Sequence, residues 1–252
     1  MIDSISSMSP DNVAGARFLT LWSVVRAAAA AVTAAAVIYL LVHDLRYVLV
    51  NETPSGSHVP TYVTNYFSFF TIQSNIMAAV YLGLAAIWGF TKGRRGVAQP
   101  MPLAGFQILT ACCMILTGVV YNVLLRGLER DGGIAPFVDW TNELMHVIAP
   151  LVLLVDVIVS PRPRRVPWGT ILLPLGYVVA YLTYTFIRAP FIISPVGAAP
   201  YWYPYPFLNP HAQGGWGGVA SYIVVIAAGF VLFAAALVAF VRWRASRDTA
   251  RG

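Results

Sequence analysis

The stretch FVDWTNELMHVIAPLVLLVDVIV, residues 137–159, decides how this chain is read. It is long enough to cross a bilayer as a single helix, because the hydrocarbon core needs about 20 apolar residues. Yet Asp139, Asn142, Glu143 and His146 stand near its beginning and Asp156 near its end. Their offsets of zero, three, four and seven place the first four on one helical face. A charged group at the centre of a membrane helix costs about 2.5–3.5 kcal/mol on insertion scales, so such groups persist where they meet partners, line a cavity or carry chemistry. Pro150, one turn after His146, removes a backbone donor and predicts a kink that loosens the bonds beneath the histidine.

The rest of the chain repeats the pattern. Of its 252 residues, 58% are hydrophobic and only 10% charged. A soluble domain has about 25% charged residues. Six apolar stretches are long enough to span, at about residues Phe18–Val42, Tyr66–Phe90, Leu103–Leu125, Phe137–Val159, Trp168–Arg188 and Trp216–Val241. The expected fold is all-α, a polytopic bundle of six transmembrane helices forming one domain over residues 1–252. The net charge of +6 does not point to nucleic acid, because the arginines flank apolar segments. Eleven Lys and Arg fall on one side, among them Lys92, Arg94, Arg95, Arg164, Arg242 and Arg244, against Arg46, Arg126, Arg130 and Arg188 on the other. That bias predicts cytoplasmic termini and outward loops at 43–65, 126–136 and 189–215. Residues 1–17 carry Asp3 and Asp11 and no basic n-region, so the first span reads as uncleaved. Lys92 is the single lysine beside 15 arginines. With the many Ala and Gly, this skew suggests a GC-rich bacterial genome and hence a bacterial cytoplasmic membrane. Cys112 and Cys113 are adjacent and make no disulfide framework. Zinc-type spacing, a Walker loop and a dinucleotide fingerprint are all missing from the sequence.

Polar residues in neighbouring spans fall at matching depth. Thr71, Ser74 and Asn75 come early in the second span, with Phe67 and Ser68 expected on the same face. Tyr121 and Asn122 come late in the third, and Tyr177, Tyr181, Tyr184 and Arg188 form a stripe on the fifth. All lie in the expected outer half, as if around a pocket open outward. Arg26 and Asp156 share a level in the inner half and are expected to form a structural ion pair. The outer loop Pro200-Tyr201-Trp202-Tyr203-Pro204-Tyr205-Pro206-Phe207-Leu208-Asn209-Pro210 reads as an interfacial aromatic anchor or as a lid over that pocket.

These residue types can support acyl transfer. A threonine hydroxyl becomes a nucleophile when a base removes its proton, and a neutral imidazole does this near neutral pH. Thr71 and His146 are the candidate catalytic pair. Asn142 or Glu143 could orient the ring, and Asn75, Asn122 or a tyrosine hydroxyl such as Tyr121, Tyr181 or Tyr184 could contact substrate or a developing oxyanion. Three other readings compete. Thr71 could bond its own i−4 carbonyl. Glu143 and His146 could be proton-coupling groups of a transporter or small-molecule binder. The polar layer could simply join helices in an assembly protein. No metal or organic cofactor is expected, and the expected ligand is a membrane lipid or other amphiphile.

The segments Phe69-Phe70-Thr71-Ile72-Gln73-Ser74-Asn75 and Trp140-Thr141-Asn142-Glu143-Leu144-Met145-His146, with Pro150, Asp156 and the loop from Tyr203 to Pro210, resemble a bacterial family of six-pass integral membrane proteins. More distantly the plan resembles the eukaryotic androgen-induced and androgen-dependent six-pass proteins, hydrolases of fatty acid esters of hydroxy fatty acids. That resemblance rests on Thr71, on Asn142 with Met145-His146, and on Pro150. It implies Thr71 as nucleophile and His146 as its partner. The eukaryotic pattern has a histidine directly after the asparagine, where this chain has Glu143.

Overall fold

In a computed structural model the described residues are 10–51, 58–127, 138–160, 163–195 and 199–249. Asp3, Arg130, Phe137, Arg162 and Arg251, used above, lie outside them. The described residues are helical with connecting turns, and six helical segments are long and apolar enough to cross a membrane. Helix α1 covers Pro10–Val50, and a short α2, Val59–Ser68, leads into α3, Phe70–Thr91. Helix α4, Met101–Val120, continues into a π turn at Tyr121–Leu125. The fourth span is composite, with α5 (Asp139–Glu143), a π turn (Leu144–Ile148) and α6 (Ala149–Val159). Helices α7, Leu172–Arg188, and α8, Trp216–Thr249, complete the bundle.

The spans agree with the hydropathy reading to within a few residues, with one difference that matters. The second span is not continuous from Tyr66. Phe69 adopts an extended conformation, φ −72° and ψ 128°, which breaks the helix between α2 and α3. Ser68 therefore lies on a different helix from Thr71, and Thr71 stands in the first turn of α3 rather than five residues into a span.

Small residues bring the helices together. A Cβ on Gly89 of α3 would lie 1.9 Å from the Ser23 hydroxyl of α1, so only glycine permits this crossing. The same end of the bundle holds a buried charge cluster. Arg26 and Asp156, both 0% exposed, meet at 2.6 Å. Asp156 also accepts from Trp22 Nε1 (2.7 Å), Tyr81 Oη (2.6 Å) and Gln107 Nε2 (2.9 Å), and Arg26 Nη2 donates to Ser160 Oγ (2.7 Å). Every carboxylate lone pair that could face hydrocarbon thus has a donor, which is the condition for keeping an ion pair there. Arg244 donates to the carbonyls of Val157 (2.7 Å) and Ser160 (3.0 Å), closing the C-terminal end of α6. Ala104, Ile108, Ala111, Cys112, Val157, Ala234 and Val238 pack beside this cluster as a dense apolar floor. The candidate site occupies the other end of the bundle.

Candidate functional site

The site is built where three interruptions of regular helix face each other. The first is the break at Phe69. In an unbroken helix the amide of Thr71 would bond the Phe67 carbonyl. Here the Phe67 carbonyl accepts instead from Gln73 Nε2 (2.8 Å), and the Ser68 carbonyl accepts from Tyr181 Oη (3.1 Å). The Ser68 hydroxyl meets Tyr184 Oη at 2.8 Å, and Tyr177 Oη donates to Gln73 Oε1 (2.5 Å). The tyrosine stripe of α7 thus holds the break in place. The Thr71 amide, at the positive end of the α3 dipole, donates to Tyr205 Oη at 3.1 Å.

The second interruption is the π turn around His146. The amide of Ala149 bonds the Leu144 carbonyl rather than that of Met145, and Pro150 has no amide to offer His146. Two carbonyls are left over. Asn75 Nδ2 donates to that of Met145 (3.3 Å) as well as to that of Thr71 (2.9 Å). Asn122 Nδ2 donates to that of His146 (3.3 Å) and to that of Gly118 (2.7 Å). Both asparagine amides therefore hold freed backbone carbonyls, where the sequence reading expected contacts to a substrate. Asn122 itself sits in the third interruption, the π turn that ends α4. Close approach of the two π turns depends on Gly118, whose missing Cβ would lie 3.1 Å from the His146 carbonyl oxygen.

At the centre, Thr71 Oγ1 lies 3.1 Å from His146 Nε2. His146 Nδ1 lies 2.9 Å from the backbone carbonyl of Asn142. A carbonyl can only accept, so Nδ1 carries the ring proton. In the neutral imidazole Nε2 is then the lone-pair acceptor, aimed at the threonine hydroxyl. Thr71 is 8% exposed. Its hydroxyl bonds His146 and, at 3.3 Å, Tyr205 Oη, not a carbonyl of its own helix. Asn142 therefore orients His146 through its backbone, while its side-chain amide donates to the Tyr121 hydroxyl. The Tyr121 ring lies against the imidazole, centroids 4.0 Å apart and planes 26° from parallel. Ser74 joins α3 to α4 through Thr117 Oγ1 (2.8 Å).

Glu143 lies apart from the ring nitrogens. Its carboxylate pairs with Arg126 at 2.8 Å on an exposed edge. That hydrogen bond raises the Arg126 guanidinium above its ordinary value. Arg126 also donates to Asn122 Oδ1 (2.8 Å).

Tyr205 is the residue that the sequence reading did not single out. It belongs to the Pro-aromatic loop, which folds down into the helix bundle, with Phe207 and Leu208 buried. The Tyr205 ring stacks on Phe207 (5.2 Å, 7°) and meets Phe69 edge-on (5.8 Å). A cavity of about 690 Å³, its mouth included, opens beside Thr71. Thr71, Tyr121, Tyr181 and Tyr205 supply polar groups to its wall, and α4, α7 and α8 supply the remaining, mainly aliphatic, surface. This volume lies within the range of small-molecule sites, about 300–1,000 Å³.

No family model, no curated protein and no solved structure matches this chain.

Proposed function

We propose that the protein is a hydrolase of a lipid ester, seated in a bacterial cytoplasmic membrane with both termini inside, in which Thr71 is the nucleophile and His146 the general base. The observation that carries this reading is the 3.1 Å contact between Thr71 Oγ1 and a His146 Nε2 whose tautomer is set by the Asn142 carbonyl. A nucleophile, a base within hydrogen-bond reach and a third group orienting the base are the geometric signature of nucleophilic catalysis.

The residues divide the work as follows. His146 Nε2 takes the Thr71 proton as Oγ1 bonds the ester carbonyl carbon. The tetrahedral oxyanion is stabilised by the Tyr205 hydroxyl and by the positive end of α3. Collapse breaks the bond to the alcohol oxygen, which receives the proton from His146, and leaves an acyl group on Thr71. Water, deprotonated by His146, then attacks that carbonyl, releasing the fatty acid and returning the proton to Thr71. The position supports a substrate whose ester sits near one end of the membrane helices, as in an amphiphile. A proton-coupling role for Glu143 fits less well, since its carboxylate is held by Arg126 outside the buried polar cluster.

Labelling of the full-length protein in detergent micelles with an alkyl fluorophosphonate tests the reading. The wild-type chain and Thr71→Ser should label, while Thr71→Ala and His146→Ala should not. Equal labelling of wild type and both alanine variants would remove the enzyme assignment.

A further inference from the structure

The cavity beside Thr71 says which half of the ester it receives. It is lined by Thr71 but, among the described residues, not by His146. In acyl transfer the base returns its proton to the departing alcohol, so the alcohol must lie next to His146 Nε2. The acyl half remains bonded to Thr71 through the second step and must lie elsewhere. The space adjoining Thr71 away from the imidazole is this cavity.

Its shape is that of a slot running down α4. The α4 side of the wall extends from Leu125 to Leu116, nine residues, or about 13 Å at the helical rise. On α8 the wall runs from Ile223 to Phe230. Phe230 is 4% exposed and belongs to the close-packed apolar floor with Ile108, Ala111 and Ala234. The slot therefore ends where dense packing begins. Resting on the hydrolase reading above, we propose that the cavity binds the acyl half of the substrate as one unbranched hydrocarbon chain. Its methyl end lies against Phe230, which sets the longest chain accepted.

A chain already dissolved in lipid or detergent gains little hydrophobic free energy on entering a protein slot, because the surroundings are as apolar as the wall. Selection by length must then be steric. Affinity should change little with length until the chain meets the floor, and then fall by about tenfold as overpacking sets in.

The test uses full-length Thr71→Ala protein, which cannot turn over, so it reads the cavity even if the hydrolase assignment fails. Saturated fatty acids of increasing length displace a fluorescent fatty acid in micelles. Phe230→Ala should move the cut-off to longer chains, recovering about tenfold for the first acid rejected by the parent. Val178→Phe, which narrows the slot from α7, should move it to shorter chains. If Phe230→Ala does not fold, the Val178→Phe shift decides alone. Displacement without any length cut-off, or a cut-off unmoved by the folded variants, would overturn the proposal. A moving cut-off beside absent fluorophosphonate labelling would keep the chain-binding slot and discard the enzyme.

Discussion

Replacing Tyr205 by phenylalanine removes one oxygen and leaves the ring. The ring contacts with Phe207 and Phe69, at 5.2 and 5.8 Å, are apolar and survive the change. Two polar contacts are lost, the 3.1 Å bond from the Thr71 amide and the 3.3 Å contact with Thr71 Oγ1. The stability effect should be small, on the order of 1 kcal/mol for a buried amide whose partner is replaced by the cavity mouth. The kinetic effect should be much larger. Loss of one oxyanion donor costs about 2.7–4 kcal/mol in the transition state, or about a hundredfold to a thousandfold in kcat. The Thr71–His146 contact is untouched, so fluorophosphonate labelling should persist at a reduced rate. Steady-state hydrolysis of a micellar ester, read beside a thermal melt, separates the two effects. A Tyr205→Phe protein that melts near wild type and hydrolyses at an unchanged rate would refute the assignment of this hydroxyl to the oxyanion.

Two further substitutions probe the scaffold. Gly118→Ala would put a methyl group 3.1 Å from the His146 carbonyl oxygen and 3.2 Å from Pro150, displacing the π turn that carries the imidazole. It should cost about 1–3 kcal/mol of stability by overpacking and lower kcat by up to about a hundredfold through misplacement of the base, measured by melting and turnover. Gly83→Ala, with nothing within 4 Å of its Cβ, serves as the matched control that should leave both unchanged or slightly improved. Asp156→Ala strands the Arg26 guanidinium without its counter-charge and should destabilise by about 3–5 kcal/mol in a thermal or denaturant melt, whereas a paired Arg26→Met/Asp156→Leu change should cost less.

The spans could be read from sequence because the bilayer imposes one length and one composition on every helix. The Arg26–Asp156 contact could be anticipated for a related reason, since two charges at one depth in hydrocarbon have few other partners. The interruptions were harder to see. Pro150 signals that the His146 carbonyl is free, but no residue signals the π turn that also frees Met145. The break at Phe69 has neither glycine nor proline beside it. It is held by Tyr181, Tyr184 and Gln73 through contacts made only in the folded bundle. Without those contacts, the helical spacing of Phe67, Ser68 and Thr71 reads as one face. Tyr205 could not be placed either, because it reaches Thr71 from 134 residues away in sequence. Glu143 looked like a partner for His146 because it lies one turn back, yet Arg126 outcompetes the imidazole for it.

The polar residues of this end sort by what the backbone requires. Irregular backbone inside a membrane persists only where every freed amide and carbonyl finds a partner. Asn75, Asn122, Gln73 and Tyr181 meet that requirement, each bonded to a carbonyl that a break or π turn released. Removing these four from consideration leaves Thr71, His146 and Tyr205, whose side chains bond one another and adjoin the cavity. The three interruptions make that meeting possible. The break frees the Thr71 amide for Tyr205, the π turn at 144–148 carries His146, and Gly118 lets the two π turns close on each other. Straight helices would offer the same residues at the same depth, but the Thr71 amide would be tied to Phe67 and unable to bond Tyr205. The separation of scaffold asparagines from reactive hydroxyls is therefore the physical reason to place chemistry at Thr71.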